Sequence, residues 1–211
     1  SKSRVVMAAG TTALVGMFSS HMLVLTFAVQ AAIGSAYLLR HSSATNRLRI
    51  IRSVGAFSAI TLGLTAYWVV PSIVAVFRDA VPSLSGSDIE LLGARPIDGN
   101  ILLTLLTLKG FWGGTIGLPI STTWASLFVL PVLIMTVFAF YDQYRNPFFI
   151  GLVSSGVVAI LLASGANAPL GAMNRWLVDN VIVFSMFRET HKHLALLALT
   201  YAFSAGFAIN A

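Results

Sequence analysis

Arg188, Glu189, Thr190, His191, Lys192 and His193 follow Phe187 and open directly onto an apolar run from Leu194 to Ile209. Five of these six side chains ionise, in a chain that is 57% hydrophobic and only 9% charged. Ionisable groups crowded at the mouth of a membrane-length apolar segment are costly to place there, which makes them the first candidates for function. On an α-helix Arg188 and Lys192 are four apart and His191 is three from Arg188, so the three project from one face. That face would hold an anion. An arginine offers a planar fork to phosphate oxygens and a lysine a point charge, and the free N–H groups and dipole at a helix start add to both. The expected ligand is a phosphate or pyrophosphate at the membrane surface, as in a lipid-linked phosphate. Glu189 and His193, also four apart, are expected to pair and orient the bases rather than to move protons. Arg175 and Arg95 would extend the phosphate site or only solvate a loop. The plainer alternative for Arg188 and Lys192 is that they snorkel and anchor a helix end.

Apolar runs near the roughly 20 residues that cross a bilayer must position this cluster. With a mean hydropathy of +0.86, they predict an all-α fold, a polytopic transmembrane bundle with short interfacial helices in its outer loops. The spans fall at about 5–18, 22–39, 53–77, 119–141, 148–164 and 193–210, as one domain over 1–211. Val5 to Leu39 is too long for one ordinary helix and reads as two joined near Ser19, Ser20 and His21. Lys2 and Arg4 before that hairpin, and Arg40, Arg47, Arg49 and Arg52 after it, assign its flanks to the cytoplasmic side. The outer loops are then 78–118 and 165–192. The first carries Asp79, Asp88, Glu90 and Asp98, four of the seven acidic residues. Within it Ile101 to Leu108 is apolar but too short to cross, with Asp98 or Asn100 placed to cap it, and suggests an interfacial or re-entrant helix. Gly110, Phe111, Trp112, Gly113, Gly114 and Gly117 then form a simple bend or a close approach to a ligand. Trp176 to Phe187 suggests an amphipathic surface segment. Gly151, Ser154, Ser155 and Gly156 are small packing positions in the fifth span.

The net charge of +6 points to topology and not to nucleic acid, because the basic residues sit at the ends of apolar runs. The chain has no cysteine, and its four histidines lack zinc-ligand spacing, so no metal and no cofactor is expected. His21 is expected to be an interfacial polar group. The outer-loop acids are weak candidates for a catalytic carboxylate, and no P-loop, HExxH, GxSxG or dinucleotide fingerprint occurs. The absence of charge near mid-membrane between residues 5 and 186 argues against an ion pump. The start at Ser1, without methionine, and the stop straight after a span predict a piece of a longer protein.

Ala66-Tyr67-Trp68-Val69-Val70-Pro71 closing a span, Gly110-Phe111-Trp112 after a short helix, and Met186-Phe187-Arg188-Glu189-Thr190-His191-Lys192 before the next span together resemble GT-C glycosyltransferases, large polytopic membrane enzymes of bacteria and archaea. Among them the arabinofuranosyltransferase-like and YfhO-like proteins are the nearest in the order and spacing of these features, from about Arg47 onward. The resemblance implies a plasma-membrane protein that takes a sugar from a polyprenyl-phosphate donor. The sugar passes, with inversion, to an extracytoplasmic glycan or lipid acceptor. It also implies a catalytic carboxylate in an earlier outer loop, which has no counterpart in this sequence, and Arg188 and Lys192 as ligands of the donor phosphate. The alternative is a non-enzymatic transporter or lipid-handling bundle in which the same cluster selects anionic headgroups.

Overall fold

The computed structural model describes residues 2–40, 43–77, 93–94, 96, 99–108, 122–167, 169–181, 184 and 189–210. Every regular element of any length among them is a helix. Three are long and apolar enough to cross a membrane: Ser20–Arg40, Ala44–Ala75 and Thr190–Ile209. The chain divides into two compact units, 1–83 and 84–211.

In the first unit, α1 (Lys2–Phe18), α2 (Ser20–Arg40) and α3 (Ala44–Phe77) pack on one another. The break expected near Ser19 to His21 falls at Ser19, whose Oγ accepts the Met22 N–H at 3.5 Å, and His21 lies in the first turn of α2. α1 buries Ala9, Ala13 and Gly16 at helical spacing, and α3 buries Phe57, Thr61 and Thr65. Small residues of this kind let helices approach closely where lipid offers no hydrophobic drive. Phe27 meets Phe57 edge to face at 6.2 Å, joining α2 to α3. α3 starts nine residues before the expected Ser53 and takes Arg47, Arg49 and Arg52 into its first turns. At 34 residues it is about 50 Å long, more than a bilayer core requires. It also runs straight through Pro71, where the sequence suggests departure from the bilayer. The Ser72 hydroxyl donates to the Trp68 carbonyl at 2.8 Å beside the proline, whose missing N–H takes the helical donor from the Tyr67 carbonyl instead.

The second unit contains α4 (Ile101–Leu106), α5 (Thr122–Gln143), α6 (Pro147–Ala163), α7 (Gly171–Asn180), a 3-10 turn (Thr190–His193) and α8 (Leu194–Ile209). Asn100 is the cap of α4, its Oδ1 accepting the Leu103 N–H at 3.0 Å. Asn146 caps α6 in the same way, with Pro147 in the first position, where a missing N–H costs nothing. α8 packs on both α5 and α6. Its pairings with α6 run antiparallel: Phe207 against Phe149, Thr200 against Leu152, and Thr190, in the turn before it, against Ala163. The end of α6 therefore meets the turn that begins α8. α4, the short helix expected to be interfacial or re-entrant, packs into this unit. Its Thr104 and Leu105 are buried, and Leu105 joins Ala94, Ala163, Leu194, Leu197 and Tyr201 in one core. The Tyr201 hydroxyl donates to the Leu106 carbonyl at 3.1 Å, tying the end of α4 to α8.

The α6–α8 contact depends on a missing side chain. A Cβ on Gly156 would lie 2.7 Å from Thr200 Oγ1, whose hydroxyl is within 3.1 Å of Leu152 O on α6 and 2.9 Å of Leu196 O on its own helix. Of the four small positions predicted in this span, Gly151, Ser155 and Gly156 are buried and Ser154 is exposed. Gly156→Ala should therefore destabilise the second unit by about 1–3 kcal/mol through overpacking, read as an earlier unfolding transition in detergent. Ser154→Ala should leave the transition in place, and equal losses from both would remove the packing account.

Candidate functional site

The last carbonyls of an α-helix have no partners of their own and must find them elsewhere when buried. At the end of α6 every one from Ile160 to Gly165 is bonded. Ile160 O takes the Ser164 N–H at 3.1 Å and Leu162 O the Gly165 N–H at 3.3 Å. Leu161 O takes the Ser164 hydroxyl at 2.7 Å and Asn174 Nδ2 at 3.2 Å. Ala163 O takes the Thr190 hydroxyl at 3.1 Å. Ser164 O takes Asn167 Nδ2 at 2.7 Å, and Gly165 O takes Asn174 Nδ2 at 2.9 Å. Asn167 Nδ2 also lies 2.9 Å from Ala94 O. Residues far apart in sequence are thereby gathered at one end of the helix: Ala94, the segment 160–167, Asn174 and Thr190. Gly165 has φ +59, a left-handed conformation that glycine adopts without steric cost.

The basic cluster is built on this knot. Thr190 is 3% exposed and His193 is 4% exposed, with His193 Nδ1 2.9 Å from the Thr190 carbonyl. Both side chains turn inward, and their neighbours Glu189, His191 and Lys192 remain partly accessible. Lys192 Nζ is 3.2 Å from Glu189 Oε2, and His191 Nε2 is 3.9 Å from the same oxygen. Lys192 pairs with that oxygen, and His191 stands beside it beyond hydrogen-bond distance.

Two expectations change here. The segment winds as a 3-10 turn, in which residues i and i+3 align, so the carboxylate of Glu189 takes Lys192. His193, expected to meet Glu189 at α-helical spacing, is buried against the turn's own backbone. The free N–H groups expected at the helix start are also partly consumed: Lys192 N–H donates to Glu189 O at 3.0 Å, and the Leu194 N–H to the carbonyls of His191 and Lys192. Arg175 sits half-buried on α7, one residue beyond Asn174, on a different element from the turn. Arg188 lies outside the described residues, as do Arg95, Asp79, Asp88, Glu90, Asp98 and the Gly110–Gly117 turn.

The first part of the amphipathic segment expected from Trp176 to Phe187 lies in the helix Gly171–Asn180, Phe184 is helical, and 182–183 and 185–188 are outside the described residues. The helix Gly171–Asn180 buries Gly171, Asn174 and Val178 and exposes Trp176. That spacing was the missed signal, because an asparagine within the buried stripe of an amphipathic helix needs polar partners. Among the described residues no group of three or more His, Asp or Glu side chains could hold a metal ion.

Replacing Asn174 with alanine leaves Gly165 O and Leu161 O short of a buried donor and should cost about 1–3 kcal/mol in detergent unfolding. Asn174→Asp should cost more, because a carboxylate would face those carbonyls, and wild-type stability in either variant would contradict the knot. The chain matches no protein-family model, no curated protein and no solved structure.

Proposed function

We propose that this chain is the multi-pass membrane portion of a glycosyltransferase of GT-C type. It would take a sugar from a polyprenyl-phosphate donor and pass it to a glycan or lipid acceptor outside the cell membrane. The observation that carries the proposal is the pairing of Lys192 with an anionic oxygen, with His191 beside it, at the head of a membrane-length helix. The donor is a phosphodiester with one negative charge. When the acceptor hydroxyl attacks the anomeric carbon it gives its proton to a base, the carboxylate that the resemblance implies in an earlier outer loop; the bond from that carbon to the phosphate oxygen breaks, and the departing polyprenyl phosphate keeps the electron pair and gains a second charge. A cation held beside that phosphate stabilises the transition state more than the bound donor, which accelerates transfer. Lys192 is assigned this role because it stands in the turn beside the membrane-length helix. Arg188 is assigned to it by type and spacing, His191 supplies a hydrogen-bond donor, and Arg175 is the reserve cation on α7.

Glu189 favours a second reading. Its carboxylate already occupies the oxygen position that a phosphate would take, so an anionic headgroup would exchange against it without any chemistry. That arrangement suits a lipid-handling bundle that binds headgroups and transfers no sugar.

Sugar transfer from a polyprenyl-phosphate donor, measured in membranes containing the protein, separates the two. Arg188→Ala and Lys192→Ala should each lower transfer by roughly 100-fold while the protein still inserts. Full activity in both variants would sink the transferase reading, and headgroup binding without turnover in the wild type would establish the second. Glu189→Gln, which removes the internal competitor, should lower the donor KM several-fold; a raised KM would show that Glu189 supports the site rather than fills it.

A further inference from the structure

The turn 189–193 would not hold its shape through its own hydrogen bonds alone. A few residues of 3-10 geometry have poorer bonding than an α-helix, and the side chains of Glu189 and Lys192 are long and rotatable. Thr190 is fixed at both of its polar ends. Its hydroxyl donates to the carbonyl of Ala163, the last residue of α6, and its carbonyl lies 2.9 Å from His193 Nδ1. The space it occupies is shaped by Gly165, where a Cβ would come within 3.0 Å of Thr190 Oγ1, and Gly165 is itself held by Asn174 through its carbonyl. Threonine is branched at Cβ, so few rotamers are open to it once the hydroxyl is bonded. The direct neighbours of this fixed point, Glu189 and His191, and Lys192 two residues on, form the ion pair and supply the histidine beside it.

We infer that Thr190 is a positioning residue for phosphate: through its bond to Ala163 it transmits the rigid end of α6 to Lys192 and His191, so that both aim at one phosphate oxygen. The inference rests on the phosphate-binding reading above, and adds to it the residue that sets the geometry without touching the ligand. The chemistry recognised is a phosphate monoester or diester, whether carried on a lipid or free.

The test uses the full chain in lipid nanodiscs. Two probes, a polyprenyl monophosphate and inorganic phosphate, are titrated against the wild type, Thr190→Val, Thr190→Ala, Thr190→Ser and Lys192→Ala. Thr190→Val and Thr190→Ala should weaken binding of the polyprenyl probe on the order of tenfold, as small misplacements of binding groups do. Thr190→Ser, which keeps the hydroxyl, should bind like the wild type, and Lys192→Ala should lose most affinity. Equal weakening of both probes supports positioning toward phosphate itself; weakening of the polyprenyl probe alone supports it for a phosphate carried on lipid. Thr190→Val and Thr190→Ala that unfold at lower temperature yet bind with wild-type affinity would overturn the inference and leave the phosphate reading standing. Absence of binding by the wild type would overturn both. If Thr190→Val does not fold, Thr190→Ala carries the comparison, because it removes the same bond without adding bulk.

Discussion

A helix that ends inside a protein must find donors for its last carbonyls, and the rest of the second unit is arranged around meeting that requirement for α6. An unpaired buried carbonyl costs about 1–3 kcal/mol, and several lie close together between residues 160 and 165. Water would satisfy them at an exposed end. Here Ser164, Asn167, Asn174 and Thr190 do so, and three of these four come from beyond the helix and its cap. Each donor brings its own segment with it. α7 is held by Asn174, the 93–94 segment by Asn167, and the start of α8 by Thr190. The position of the basic turn is thus a consequence of a backbone constraint on another helix.

Such an arrangement changes what the charges can do. A lysine on a loose loop would spend most of its time in water, and an exposed ion pair with glutamate contributes only about 0.2–1 kcal/mol. In this turn Glu189 and Lys192 have side-chain exposures of 18% and 27%, so part of their hydration is already lost. Partial desolvation strengthens the attraction between them and also raises the penalty for leaving either one unpaired. Lys192 is therefore favoured beside an anion. The turn provides one in Glu189, and on the phosphate reading proposed above an incoming phosphodiester, equal in charge, would have to displace it. On that reading the same ion pair sets the threshold a ligand must exceed.

Much of this architecture was legible in the sequence, for reasons that residue patterns make plain. Hydrophobic run length depends on bilayer thickness alone, which is why the helices fall close to their expected places even where their ends differ. The ends differ where local chemistry intervenes: Pro71 is carried inside α3 beside the Ser72 bond, and α3 reaches back over Arg52, Arg49 and Arg47 because nothing there breaks a helix. The cluster at 188–193 stood out by charge, and that criterion found Lys192, His191 and Glu189. It could not find Thr190 or Asn174, which are uncharged and act on carbonyls 27 and 9 residues away along the chain. Nor could spacing give the right partner for Glu189, since α-helical periodicity was applied from Arg188 to His193, where the chain winds as a 3-10 turn tied to Ala163.

In the proposed bilayer setting the hydrophobic effect holds helices in the membrane but does little to hold them to one another. Association then falls to close packing and to hydroxyl bonds between helices. α6 and α8 use both. Gly156 admits Thr200, Thr200 bonds across to Leu152, and the aromatic pairs Phe148–Phe203 and Phe149–Phe207 close the far end with edge-to-face contacts at 5.3 and 5.5 Å. The pair is thus fixed along its whole length, from the aromatic end near Asn146 to the polar end at Thr190. Rigidity at the polar end is what a site needs if its donors are to meet an anion without reorganising, and it is there that the charged turn is attached. A glycine in the middle of a helix contact and a lysine at its end are in this way parts of one mechanical unit.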